Sequence, residues 1–179
     1  MSLDIDPTDF PLLFIERQAD WASLTLTFEM ELIPEDLISN VSVCAHVGDD
    51  WALIRLDDGW PVAGGTWEPE ESYQEAAKRE LLEEAGAELI NLELFGGFRM
   101  VTSEDKPYRP HLPYPISYRA IGLGEVRLVG KPTNPPDGEQ VREVGRFPLD
   151  EACKLLSKGS EPIGELHQLA AEVKRQLGV

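Results

Sequence analysis

A cluster of glutamates held between two glycine turns constrains this chain more than any other feature. Gly65-Thr66-Trp67-Glu68-Pro69-Glu70-Glu71 leads, a turn later, into Arg79-Glu80-Leu81-Leu82-Glu83-Glu84-Ala85-Gly86. Ser72 with Glu75 three residues on is a capping box, which starts a helix, and Gly86 is the left-handed residue that stops it. Ala77, Leu81 and Ala85 give that helix an apolar stripe for a core. Glu80, Glu83 and Glu84 fall within about 100° of one another at 3.6 residues per turn. Like charges four apart, as Glu80 and Glu84 are, cost a helix roughly 0.2–0.5 kcal/mol when nothing balances them. Taken alone, an acidic helix is most often a solvated face. A cluster that works against its own helix also suggests a cation.

The chemistry of that cation follows from the donors. Glu83 and Glu84 sit in the last turn, where the helix dipole adds partial negative charge. Carboxylate oxygens with no His or Cys pairing nearby specify a hard ion, Mg²⁺ or Mn²⁺, over zinc. Such an ion keeps some of its waters, bridges phosphate oxygens and lowers the pKa of a water that attacks phosphorus. Arg79, four residues after Glu75 and four before Glu83, is placed to hold carboxylates in position.

At 179 residues the chain has the length of one well-buried domain. Its net charge of −17 argues against binding to a DNA or RNA polymer, since an acidic surface gains nothing from counterion release. A small phosphorylated substrate remains compatible, provided metal ions and a few cations reverse the sign locally. Cys44 and Cys153 have no short spacing, so neither a zinc pattern nor a disulfide framework follows. No basic start with an apolar run opens the sequence and no apolar stretch reaches 18 residues, so the expectation is a soluble, cytoplasmic protein without a membrane span.

Along the chain, residues 22–32 alternate with period two: Leu24, Leu26, Phe28, Met30 and Leu32 point one way and polar residues the other, which predicts a half-buried strand. Apolar runs over 41–47 and 51–56, separated by Gly48-Asp49-Asp50, predict a hairpin. After the acidic helix, strands are expected at 88–98, 114–123, 125–129 and 140–147, then helices at 149–157 and 162–177. Strands, one central helix, more strands and closing helices favour an α/β fold, a mixed β-sheet with helices on both sides. The division expected is an amino-terminal extension over 1–39 that carries the added strand, and a main domain over 40–179. An edge strand near 22–32 offers a route to a homodimer. Two proline-rich segments, 103–115 and 130–138, read as irregular loops of the kind that carry recognition.

The glutamate helix and its leading loop read as Gly, five residues, Glu, seven residues, Arg-Glu-apolar, one residue, Glu-Glu, one residue, Gly-apolar. Gly65, Glu71, Arg79, Glu80, Leu81, Glu83, Glu84, Gly86 and Ala87 fill it in order, across 23 residues. This segment resembles the signature of the Nudix hydrolase family, and the surrounding strand order extends the likeness over about 40–158. The resemblance implies a Nudix-type α/β/α sandwich and hydrolysis of a diphosphate linkage in a nucleoside diphosphate derivative (a nucleoside triphosphate, nucleotide sugar or dinucleotide) with Mg²⁺ or Mn²⁺. It implies Glu83 and Glu84 as principal metal ligands, Glu80 as a further ligand or a base, and Glu71 as a loop support or a ligand through water. Arg79 would orient the glutamates, Gly64 and Gly65 would let backbone turn beside the phosphates, and Glu139 is the candidate for a late-loop base or ligand. Val62-Ala63 replaces the Leu-Pro that often precedes the two glycines, and Ala87 is small for the last apolar position. Neither position touches a ligand in the family pattern. No mark of a particular substrate subfamily is present downstream.

Trp67 is placed either to stack on a base or sugar or to close the core edge. Lys106, Tyr108, Arg109 and His111 either meet a phosphate and a base or form an ordinary surface loop, and Arg109 is carried forward as a substrate-binding candidate. His46 and His167 read as structural. The rival functional class is a Nudix-like module that senses a nucleotide without cutting it. Degenerate glutamates are its mark, and none here is degenerate.

Overall fold

The computed structural model describes residues 3–19, 23–136, 138–159 and 162–179. Among these residues eight strands form one sheet: β1 (Arg17–Ala19), β2 (Leu24–Glu29), β3 (Ile38–Val47), β4 (Asp50–Arg55), β5 (Ala63–Thr66), β6 (Ala87–Thr102), β7 (Ile116–Leu128) and β8 (Glu143–Phe147). Their order is β1-β2-β6-β7-β3-β4-β8, and β5 pairs with β3 beside that path. The β3–β7 pair is parallel and every other pair is antiparallel. Three helices cover it: α1 (Tyr73–Ala85), α2 (Leu149–Leu156) and α3 (Ile163–Leu177).

The continuous apolar run of β3 marks a strand buried on both faces. Val41, Val43 and Ala45 pack toward α1 with Ala76, Ala77, Leu81 and Ala85. Cys44 packs the other way, with Trp51, Leu53, Phe98, Ile121 and the α2–α3 residues Leu156, Leu166 and Leu169. Helices therefore lie on both faces of a mixed sheet, as expected, and the 41–47/51–56 hairpin forms with Gly48 at φ +59° in its turn. No helix among the described residues is long and apolar enough to cross a membrane.

Five expected elements need correction, the first being the strand at 88–98, which runs on to Thr102 because its end pairs with β2 and β7. The strand predicted over 22–32 is shorter: residue 22 lies outside the described residues, and pairing runs from Leu24 to Glu29 opposite Gly97. There β6 is irregular between Leu94 and Gly96, the ladder ends, and Leu32 is 97% exposed. Nor is that strand the edge, because β1 pairs along it. The segments 114–123 and 125–129 are one strand, β7. Gly124 does not turn the chain; it stands opposite Ala45 and Leu92, and a Cβ on it would come within 2.4 Å of Val43 Cγ1. Glycine there permits close packing inside a strand. The last strand begins at Glu143 because Val141 bonds instead to Asn134, its N–H to Oδ1 at 2.9 Å and its carbonyl from Nδ2 at 3.0 Å. The short strands β1 and β5 carry too few residues to show a period.

Candidate active site

Helix α1 begins where its capping box predicts. Ser72 N–H donates to Glu75 Oε2 at 2.8 Å and Glu75 N–H to Ser72 Oγ at 3.3 Å. It ends at Gly86, φ +57°, whose N–H reaches the carbonyls of Leu81 and Leu82. The alanines of its inner face let the helix lie close over β5 and β3, and that closeness brings its acids onto the glycine loop.

Arg79 organises the centre. Its guanidinium grips Glu71 with two bonds, Nε to Oε1 at 2.8 Å and Nη2 to Oε2 at 3.0 Å, and donates through Nη1 to Glu80 Oε1 at 2.7 Å. It also reaches the Thr66 carbonyl at 3.3 Å and lies 3.9 Å from Glu83 Oε2. The bonds from Arg79 hold the Glu71 carboxyl below its ordinary range. Glu80 goes the other way, because burial outweighs the same arginine.

Glu84 is the buried acid of the set, 8% exposed, and its Oε2 accepts the Gly64 N–H at 2.9 Å. One backbone donor does not repay the loss of water. Burial pushes this carboxyl up to about 8, with Glu80, Glu139 and Glu83 adding to the rise. The Glu139 charge is thus felt at Glu84 although Glu139 itself is exposed. The loop before it is tied to α1 by the Thr133 N–H, which donates to the Glu83 carbonyl at 2.9 Å.

Both glycines before the helix are required by contact. A Cβ on Gly64 would lie 2.1 Å from the Val41 carbonyl oxygen, and its φ is +150°. One on Gly65 would lie 1.9 Å from Glu80 Oε1. Gly65 is therefore where the acidic helix touches the loop.

Trp67 and Arg109 sit at the rim. The Trp67 indole N–H donates to the Glu71 carbonyl and its backbone N–H to the Ser39 carbonyl, so the ring fastens the loop. Arg109 Nη1 holds Glu68 Oε1 at 2.7 Å and lies over the Tyr108 ring. His111 Nε2 is 3.0 Å from the Trp67 carbonyl oxygen. The proline-rich loop is thus tied to the loop that leads into α1, while Tyr108 stays 85% exposed. Glu68, Ser39 and Thr66 take part here without any sequence mark, two of them through carbonyls that every residue has. His46 and His167 lie in the core, away from these acids.

The donor set is chemically suited to a hard divalent cation: several carboxylates and no nitrogen or sulfur. Among the described residues no three acids, imidazoles or thiols converge as a ready cage. Glu71 and Glu80 turn onto Arg79, and Glu84 turns onto Gly64. At Glu80 and Glu84 burial and neighbouring acids disfavour the charged form, and a cation is the compensation that would restore it.

Comparison with known proteins agrees with this geometry. A family model described as the NUDIX domain matches residues 48–169. A protein of Bacillus subtilis (strain 168) named putative 8-oxo-dGTP diphosphatase YtkD is 36% identical over 70 residues, covering 38% of this chain and 44% of that protein. The chain thus matches less than half the length of that relative. The crystal structure of the Bacillus subtilis pyrophosphohydrolase BsRppH superposes with a TM-score of 0.62 at 22% identity, covering 92% of this chain and 96% of the other. A NUDIX hydrolase from Nitrosomonas europaea gives 0.53 at 19%, covering 76% and 89%. With the NUDIX domain matched over residues 48–169 and the fold shared over 92% of the chain, this protein belongs to the Nudix family.

Proposed function

We propose that the protein is a divalent-metal-dependent pyrophosphohydrolase that cleaves a diphosphate linkage in a nucleotide derivative. The observation that carries this reading is the buried Glu84 carboxylate, bonded to Gly64 N–H beside an arginine that already clamps Glu71 and Glu80. Glu80, Glu83 and Glu84, with Glu71 in support, are the residues that would hold Mg²⁺ or Mn²⁺. When bound, the ion would lower the pKa of water and neutralise charge on phosphate oxygens.

The rest belongs to the chain's own groups. Arg79 fixes the direction of the Glu80 carboxylate and keeps it from folding back on Glu83. Gly64 and Gly65 leave room for phosphate oxygens against bare backbone. Glu139, close enough to act electrostatically on Glu84, is the candidate to accept a proton from the attacking water. Arg109, released from Glu68, is a candidate for a phosphate, and Trp67 for the rim of the substrate site. Of the candidate substrate classes, a nucleoside triphosphate, nucleotide sugar or dinucleotide, only the first is supported by the activity named for the Bacillus relative. The domain is taken to occupy 40–179, with 1–39 as an extension that carries an added strand.

A phosphate-release screen over nucleoside triphosphates, nucleotide sugars and dinucleotides, run with Mg²⁺, Mn²⁺ or chelator, tests this. Turnover of at least one class that disappears in chelator is expected. Tight nucleotide binding with no turnover across the panel would contradict it and favour a sensor.

A further inference from the structure

Acids outnumber bases 33 to 16 in this chain, and the arginines show it. Arg55 holds Glu143, Arg109 holds Glu68, Arg142 holds Asp57, Arg146 holds Asp50 and Arg175 holds Glu172. Arg119 is different. It is half-buried in the middle of β7, yet no hydrogen bond or ion pair engages its guanidinium among the described residues. With so large a surplus of carboxylates, an arginine left unpaired on a central strand calls for a ligand.

Its surroundings indicate which. Arg119 stands opposite Phe98 on one side and Asn40 on the other, and Asn40 stands opposite Thr66 at the end of the catalytic loop. One rung of the sheet therefore runs Phe98, Arg119, Asn40, Thr66. Beside it lies a cavity of ≈ 60 Å³ lined by Arg119, Ser42, Val62, Phe98, Ile121 and Leu166, among others. Ser42 pairs directly with Gly64, whose N–H holds Glu84. The cavity is thus one strand away from the acidic centre, and its walls are mostly apolar. Such a slot suits the edge of a flat ring. In this lining a phosphate would find one cation, one hydroxyl and hydrocarbon, too few donors for its charge. The nearby Arg17 guanidinium, 5.7 Å from the Phe98 ring centroid, already donates to the Leu12 carbonyl.

We propose that the edge of the nucleotide substrate's base enters the mouth of this slot, which is too small to enclose a whole purine, and that Arg119 reads a purine edge bearing two adjacent acceptors, as guanine does with O6 and N7. A guanidinium can donate two parallel N–H bonds to that pair. Adenine presents an amino group at the same place, so donor would face donor and both would stay unpaired. The assignment rests on the proposed hydrolysis site next door but is not tested by turnover alone.

The test is calorimetric binding of GMP and AMP, which have no diphosphate to cut, to the wild-type chain and to Arg119→Gln and Arg119→Lys. Thermal midpoints confirm that each variant is folded. Wild type should bind GMP on the order of tenfold more tightly than AMP. Arg119→Gln should bring the ratio close to one, since glutamine suits adenine instead. Arg119→Lys should lose most of the preference, because an ammonium cannot present a planar pair of donors. Equal binding of GMP and AMP by the wild type would overturn the proposal. So would an unchanged ratio in Arg119→Gln, or a parallel loss of both ligands that Arg119→Lys restores, which would mark a phosphate contact. A preference that follows Arg119 while no nucleotide is hydrolysed would keep the base slot and defeat the hydrolase reading. Hydrolysis that proceeds without any base preference would do the reverse.

Discussion

Against α1 the sheet packs Ala76, Ala77, Leu81 and Ala85, whereas against α2 and α3 it packs phenylalanine, tryptophan and leucine. The first face gives up apolar area for proximity. Short side chains bring the α1 backbone close to β5, near enough for Glu84 to reach Gly64 N–H and for Glu80 to press on Gly65. The second face does the opposite, with Leu156, Leu166, Leu169 and Val173 filling a wide gap around Trp51. Two buried imidazoles lie on it: His46, its ring 6.0 Å from that of Trp51, and His167, which donates through Nδ1 to the Ile163 carbonyl at 3.1 Å and packs edge-on to Trp51. One face of the sheet is arranged for charge and the other for cohesion.

If that division is right, damage to the two faces should separate stability from turnover. Leu169→Ala empties a fully buried site on the cohesive face and should cost about 2–5 kcal/mol in denaturant unfolding. The kcat of the remaining folded protein should be unchanged. A large drop in kcat with stability intact would erase the contrast.

The faces should also respond to pH with opposite sign. Glu84 has an ordinary value of 4.5 and is raised to about 8 when folded. Its favourable protonated state is fully present below 4.5 and is lost as pH rises toward 8, on the order of 5 kcal/mol without metal. His167 falls from 6.5 to about 4. Its contribution is present above 6.5 and is lost as pH falls toward 4, on the order of 3 kcal/mol. Thermal midpoints in chelator should therefore decline on both sides of a maximum. Glu84→Gln should flatten the alkaline limb only, and His167→Asn the acid limb only. Flattening of the wrong limb in either variant would refute the assignment.

Much of this was readable before any coordinates. The capping box, the Gly86 stop and the register of Glu80, Glu83 and Glu84 all follow from local spacing, and α1 formed as they require. The β3–β4 hairpin was legible for the same reason. What escaped was decided by contacts distant in sequence. Gly124 looked like a break because its close fit against Val43 is visible only in three dimensions. Met30 and Leu32 continue an alternating pattern that has no partner beyond Gly97. At the site, spacing set Arg79 between Glu75 and Glu83, but its short bonds go to Glu71 and Glu80, because Glu75 is taken up by the Ser72 cap and Glu83 stays 3.9 Å away. The tether from Arg109 to Glu68 joins loops 41 residues apart, and no local pattern encodes it.

The two glycines refine the contrast on the charged face alone. Gly64→Ala meets the fixed Val41 carbonyl at a positive φ, so it should destabilise the fold by about 1–3 kcal/mol and reduce activity with it. Gly65→Ala meets only the tip of the Glu80 side chain, which can swing away. It should cost less than about 1 kcal/mol in stability while turnover falls at least tenfold. Equal effects of the two alanines on both quantities would remove Glu80 from the site.

Manganese binding read by electron paramagnetic resonance, beside phosphate release at the same ion concentrations, bears hardest on the acidic helix. Wild-type protein should take up Mn²⁺ with turnover rising in parallel, and Glu84→Gln should bind the ion weakly and lose on the order of 100-fold or more in kcat. Full turnover in chelator, or Mn²⁺ uptake and kcat untouched in Glu84→Gln, would contradict a metal-dependent hydrolysis centred on Glu80, Glu83 and Glu84.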